Sequence, residues 1–371
     1  MRIRARSRTR GASQFEMEAR QFETKEAWDD AARSWREALV RDPRPAEWHF
    51  RLGRVLEHQD NLIGAAHAYR AAIARDATQA RWHFRLGQVL RATGEWTAAQ
   101  HAHKQAMRLG PKRQPTVKGR RGKQLPFLDA IELGIVRKPA YAYGLYKAAT
   151  TAERLDIDHI SALELGVAGG RGLLALERHA RDIEEMLGVR IDVYGLDTGQ
   201  GLMPANDHRD LPYYFAEGNY AMDEPALRKR LKRAELILGD ASVTFADLFE
   251  QGLAPIGFLS FDMDHYTPTA AVLGRCDDTA KHERFLPRVA LYFDDVVGKL
   301  GQDYNEFTGE LFAIGEFNDR NTEVKIVEDR HFRCLPVNFQ WHHCCYVMHR
   351  FKHPHYGDYI SKASSRSLRL K

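Results

Sequence analysis

The sequence predicts an α-helical repeat array followed by an α/β domain built on a parallel sheet of seven strands. Three observations carry this. The hexapeptide WHFRLG at Trp48–Gly53 recurs at Trp82–Gly87, a period of 34 residues. Beyond residue 124, short runs rich in β-branched and aromatic residues alternate with amphipathic helical stretches, the pattern of a sheet covered by helices. The 371 residues, 44% hydrophobic and 28% charged, suffice for two or three domains and exclude a disordered chain or a disulfide-stapled miniprotein.

A net charge of +5 would by itself suggest an anionic partner. Its distribution argues otherwise. Five Arg in residues 1–10 and seven basic residues in 107–123, with no acid in either stretch, contribute +12, so the remainder carries −7. The positive charge thus belongs to an expected flexible arm (1–11) and a Pro/Gly-containing basic linker (114–126), with a second tail at 361–371. No run reaches the 18 or so apolar residues of a membrane span, and the Arg-rich start lacks the apolar region of a secretory signal. The expectation is a cytoplasmic protein. Its four Cys, Cys276, Cys334, Cys344 and Cys345, lack zinc-like spacing and read as reduced and structural.

The repeat extends beyond the hexapeptide. Leu52, Gly53, Ala65, Tyr69 and Ala72 recur as Leu86, Gly87, Ala99, His103 and Ala106, and a fainter copy places Ala31, Trp35 and Ala38 upstream. This resembles the tetratricopeptide (TPR) repeat, with three helix-turn-helix units over 12–113. The resemblance implies a stacked array that binds a protein or peptide partner or mediates self-association, so a homo-oligomer is one expectation.

In the second region the expected strands are Ser161–Leu165, Ile191–Leu196, Ala234–Leu238, Gly257–Phe261, Val289–Phe293, Glu323–Val327 and Cys344–Arg350. Helices are expected near 140–155, 171–187, 224–232, 266–275 and 304–317. The first strand runs into LELGVAGGRG, where glycines let the backbone approach a ligand and the next helix presents free amides. Asp197 ends the second strand, where a carboxylate can accept the hydroxyls of a ribose, and Asp240 ends the third. Each acid alone would also serve as a helix cap.

The spacing Glu-x-Gly-x-x-x-Gly resembles motif I of class I S-adenosylmethionine-dependent methyltransferases, with Ala168 standing where that motif often has Gly. The resemblance implies a Rossmann-like methyltransferase domain over 127–360. It also implies S-adenosylmethionine as cofactor, bound by Glu164, Gly166, Gly170, Asp197, Asp240 and Ala241.

The next two strand ends, FLSFDMDHYTPT and VALYFDDVVG, bring Asp262, Asp264, His265, Asp294 and Asp295 toward one site. Converging carboxylates call for a hard cation, Mg²⁺ or alternatively Ca²⁺ or Mn²⁺. The segment with Asp262, Asp264, Tyr266 and Thr269, together with the Asp294–Asp295 pair, resembles the macrocin O-methyltransferase family. That resemblance implies Asp262, Asp294 and Asp295 as metal ligands and His265 as general base, with Asp264 as its alternative. It further implies O-methylation of a small-molecule or glycan acceptor, such as a saccharide or another polyhydroxylated molecule. The rival reading is an interaction scaffold with an idle or regulatory methyltransferase fold. A nucleic-acid substrate is not expected, because no base-reading motif accompanies the basic linker.

Three other features read as structural. The residues of WHHCC (341–345) alternate between faces and cannot converge on a metal. Glu306 and Glu310 share one face of the expected helix 304–317 and read as solvated. Tyr141, Tyr143 and Tyr146 read as packing residues.

Overall fold

The structure, a computed structural model, describes residues 2–109, 127–335 and 339–361. The expected linker and residues 362–371 of the expected tail lie outside the described residues. The chain divides into two compact units, Met1–Thr116 with Leu133–Ile135, and Val117–Glu132 with Val136–Lys371.

In the first unit six helices pack as consecutive pairs. These are α1 (Arg2–Thr24) with α2 (Trp28–Arg41), α3 (Ala46–His58) with α4 (Leu62–Arg75), and α5 (Ala80–Ala92) with α6 (Trp96–Leu109). Where a flexible arm was expected over 1–11, the backbone is helical from Arg2. The 34-residue period has a steric cause. A Cβ at Gly53 would lie 2.6 Å from the Tyr69 ring, and one at Gly87 would lie 2.6 Å from the His103 ring. In these two pairs the missing side chain lets the helices close over the aromatic ring. One period earlier the same places hold Ala19 and Trp35, both fully buried.

A polar ladder repeats with the same period. Trp35 Nε1 donates to Glu23 Oε1 at 2.7 Å, and Arg51 Nη1, from the next repeat, donates to Glu23 Oε2 at 3.1 Å. Thirty-four residues on, the Tyr69 hydroxyl bonds Glu57, and Arg85 Nε donates to Glu57 Oε2 at 3.1 Å. In the third copy Arg91 stands where the acid was. Burial, reinforced by Arg91, pushes the His103 imidazole down to about 4.

Among the described residues the second unit contains seven α-helices. They are α7 (Phe127–Glu132), α8 (Pro139–Arg154), α9 (Arg171–Leu187), α10 (Glu224–Arg230), α11 (Ala241–Glu250), α12 (Tyr266–Cys276) and α13 (Gly309–Arg320). Its strands are β1 (His159–Leu165), β2 (Arg190–Asp197), β3 (Glu235–Leu238), β4 (Ile256–Phe261), β5 (Phe285–Phe293), β6 (Val324–Glu328) and β7 (Cys345–Arg350). They form one sheet in the order β3-β2-β1-β4-β5-β7-β6, with the chain reversing its direction of travel between β1 and β4.

The sheet is mixed, where a parallel one was expected. β7 runs antiparallel to both β5 and β6, while the pairs from β3 through β5 are parallel. Between β6 and β7 the described residues form only short 3-10 turns, so no helical crossover is there to restore strand direction. The central strands are buried on both faces, as the fully buried β4 illustrates, which explains their continuous apolar runs.

Helix α11 had no counterpart among the expected elements. Asp240 caps it by accepting the Ser242 amide at 2.8 Å, and Phe245, Leu248 and Phe249 enter the core. Among the described residues no helix is long and apolar enough to cross a membrane. Cys276, Cys344 and Cys345 are free and buried.

Candidate functional site

A cavity of about 570 Å³ opens at the carboxyl ends of β1, β2, β4 and β5, on the switch point between β1 and β4. Ligands of open α/β sheets gather at such a crevice. Its first wall is the turn after β1. Gly166 has φ +86, and a Cβ there would lie 1.9 Å from the Asp262 carbonyl oxygen, so only Gly permits the β1 and β4 ends to meet. Ala168 adopts φ 43, a left-handed conformation that favours glycine.

Asp197 is bound to that turn. Its Oδ2 accepts the amides of Val167 and Ala168 at 2.7 and 2.8 Å, and its Oδ1 accepts the Gly199 amide at 2.6 Å. The carboxylate therefore shapes the turn, and Oδ1 retains a lone pair for one further donor. Asp240 and Ala241 line the cavity alongside Asp197 and Gly166. Asp240 also caps α11, the structural role expected of it.

Glu164 and Gly170 lie off the cavity lining. Glu164 is 1% exposed and accepts the Tyr141 hydroxyl at 2.8 Å, and burial raises its carboxyl well above the usual range. A Cβ at Gly172 would lie 1.7 Å from its Oε1, so α9 closes directly over it. Gly170, at φ +71, faces Leu227. Both residues support the turn from behind.

The opposite wall is carboxylate. One oxygen from each of Asp262, Asp294 and Asp295 lies within 4.8 Å of the others, a spacing that could hold a metal ion. The Tyr292 hydroxyl donates to Asp294 Oδ1 and the Tyr304 hydroxyl to Asp295 Oδ1, which orients both groups. Asp295 Oδ2 is buried without a partner among the described residues. The Asp295 amide donates to Glu310 Oε2 at 2.9 Å. Lys138 Nζ, 3.5 Å from Asp262 Oδ2, opposes this negative charge. Burial raises the carboxyls of Asp262, Asp264 and Asp295, and the neighbouring carboxylates add to each shift. An oxygen-only donor set with an orphaned buried oxygen and mutual repulsion fits a hard divalent cation.

Between these walls the chain turns sharply. Asp264 sits at φ 62, and the His265 amide donates to the Met263 carbonyl at 2.6 Å across it, a strained γ-type turn. His265 then starts α12. Its side chain lines the cavity, is 3% exposed, and lies 5.8 Å from the Phe215 ring. Its Nε2 has no partner among the described residues, and burial lowers its pKa. Tyr266 instead bonds Glu316 on α13, and Thr269 donates to the His265 carbonyl at 2.9 Å, so both act as supports.

Glu310 corrects an expectation. It is fully buried at the carboxylate centre, because α13 begins at Gly309, and exposed Glu306 precedes the helix. Lys138, Tyr304 and Asp210 carried no signal in the sequence. Asp210 is fully buried, lines the cavity, and accepts from the Asn206 and Thr267 amides. Tyr141 and Tyr143 are buried in α8, and His342 stacks on Phe332 at 4.5 Å.

The tetratricopeptide repeat family matches residues 17–66 and 64–111. The chain is similar to the TPR2B-domain:pHsp70 complex of yeast Sti1, at 21% identity over 27% of this chain and 79% of that one, with a TM-score of 0.26. It is also similar to the Arabidopsis OM64 TPR domain, at 13% identity over 29% and 88%, TM-score 0.28. A third is the Yersinia enterocolitica chaperone SycD in complex with a YopD peptide, at 21% identity over 26% and 74%, TM-score 0.25. No curated protein matches the chain. The amino-terminal helices are thus a tetratricopeptide-repeat array, joined in sequence to a mixed seven-stranded sheet with helices.

Proposed function

We propose that the second unit is a class I, S-adenosylmethionine-dependent O-methyltransferase that uses a divalent cation, with a saccharide or other polyhydroxylated molecule as acceptor. One observation carries this reading. A single cavity over the switch point has the glycine-rich turn, Asp197 and Asp240 on one side and Asp262, Asp294 and Asp295 on the other. A seven-stranded sheet with its site at this place is what the methyltransferase resemblance implies, and a cavity of about 570 Å³ suits a cofactor and an acceptor group.

Bound there, the two groups would supply an electrophilic sulfonium methyl and a Lewis acid that lowers the pKa of a coordinated hydroxyl. Asp262, Asp294 and Asp295 would hold the cation, and Asp240 and Asp197 Oδ1 would accept hydrogen bonds from the cofactor. His265, whose pKa burial lowers, would offer Nε2 to take the proton from the acceptor oxygen as that oxygen's bond to the methyl forms and the methyl's bond to the sulfonium sulfur breaks, leaving a neutral thioether. Asp264 is the alternative base.

The repeat-family match supports a second reading, in which the array recruits a protein or peptide partner and the α/β unit is idle or regulatory. Calorimetry of the purified chain with S-adenosylmethionine, with and without Mg²⁺, separates the two. Binding supports the enzyme, and its absence supports the scaffold.

A further inference from the structure

The cavity has a third wall, the long loop between β2 and α10. Backbone bonds close it on itself, from the Leu202 amide to the Asn219 carbonyl and from the Gly218 amide to the Leu202 carbonyl, both at 2.9 Å. From this closed loop Met203 and Tyr220 reach the cavity. Tyr220 does so at φ 65, a conformation that a bulky aromatic residue holds only where its surroundings impose it. The loop's far end meets the region after β5 at two places. The Tyr213 hydroxyl donates to the Gln302 carbonyl at 3.1 Å, and a Cβ on Gly309 would lie 3.2 Å from buried Leu211.

Both places lead directly to the carboxylate centre. Gln302 Nε2 donates to the Tyr304 hydroxyl at 2.8 Å, and that hydroxyl donates to Asp295 Oδ1. Gly309 is followed by Glu310, whose Oε2 holds the Asp295 amide. The side chain and the backbone of one carboxylate residue are thus each joined to the loop.

We propose that Tyr304 is a positioning residue that ties Asp295 to the β2–α10 loop, so that a divalent cation at the carboxylate centre also fixes this third wall of the cavity. This rests on the cation reading of the site given above. Groups that orient a metal ligand commonly tune both its geometry and its affinity. Here the orienting hydroxyl accepts from Gln302, whose carbonyl in turn holds Tyr213 of the loop carrying Tyr220. A cation that selects one position of Asp295 therefore selects one position of Gln302 and of Tyr213. Coupling of this kind is reciprocal, so weakening the loop end must weaken cation binding, although Tyr213 touches no carboxylate.

The test uses the full chain and two probes, Mn²⁺ affinity by electron paramagnetic resonance and backbone hydrogen exchange of residues 199–220 with and without saturating Mg²⁺. The expected result is that Mg²⁺ protects these amides in the unaltered protein. Tyr304→Phe and Tyr213→Phe should each lose that protection while keeping the parent melting temperature, and Tyr213→Phe should lower Mn²⁺ affinity a few fold. If the unaltered protein binds no Mn²⁺, the cation reading falls and this inference with it. If Mn²⁺ binds but the loop exchanges equally with and without Mg²⁺, or both variants keep full protection, the coupling alone is overturned. Should Tyr304→Phe fail to fold, Tyr213→Phe decides.

Discussion

Asp197 at the end of β2 holds the amide of Ala168 at 2.8 Å, and Ala168 has a left-handed backbone. The acid expected to receive a ribose also holds the strained turn on which the cofactor would lie. Asp197→Asn sets an amide NH₂ against backbone N–H donors on one side or the other. It should cost about 1–3 kcal/mol in stability and weaken S-adenosylmethionine binding as well. Denaturant unfolding combined with calorimetry checks this. A loss of affinity with unchanged stability would mean that the carboxylate serves the ligand alone.

The carboxylate centre makes a separable prediction. Asp294→Asn removes one negative charge from the carboxylate centre while leaving the turn after β1 untouched. Mn²⁺ binding should be lost, and cofactor affinity should stay within a few fold. Retained Mn²⁺ affinity would place the cation elsewhere.

His265 is expected to act at the proton-transfer step. His265→Ala should lower the methyl-transfer rate by roughly 10² to 10⁴ while leaving cofactor and Mn²⁺ affinity unchanged. A near-normal rate, measured with any acceptor that the parent enzyme methylates, would pass the role to Asp264 or to solvent.

The array should carry an acid-labile histidine. His103 is held at about 4 in the folded chain against about 6.5 when unfolded. Between these values the unfolded chain binds a proton that the folded chain does not. Its contribution is therefore complete above about pH 6.5 and is lost as pH falls toward 4, at up to about 1.4 kcal/mol per pH unit. His103→Tyr places there the residue that the second repeat already uses. The stability difference between variant and parent should widen in the variant's favour from pH 7 to pH 5. A difference independent of pH would contradict this.

These features were unequally legible in the sequence. The repeat was legible because Gly53 and Tyr69, or Gly87 and His103, meet within one helical pair, so their contact leaves a fixed spacing. The strand ends were legible because the central strands are apolar runs closed by Asp197, Asp262 or Asp294, and the short edge strand β3 is likewise followed by Asp240. Helix α11 was missed although its signals were present, a capping Asp240 followed by Phe245, Leu248 and Phe249 at helical spacing. The direction of β7 was not legible, since periodicity is blind to the sense of a strand. Lys138, Tyr304 and Glu310 reach the carboxylates only through tertiary packing. Glu310 was further concealed because Gly309, at φ +57, starts its helix later than the pattern suggests.

The central claim is that the cavity over the β1–β4 switch point binds S-adenosylmethionine. Isothermal titration of the full chain with S-adenosylmethionine tests it most directly, with Asp197→Asn titrated in parallel. The parent protein should show saturable one-to-one binding, and the variant markedly weaker binding. Absence of binding by a folded parent protein, in the presence and absence of Mg²⁺, would contradict it.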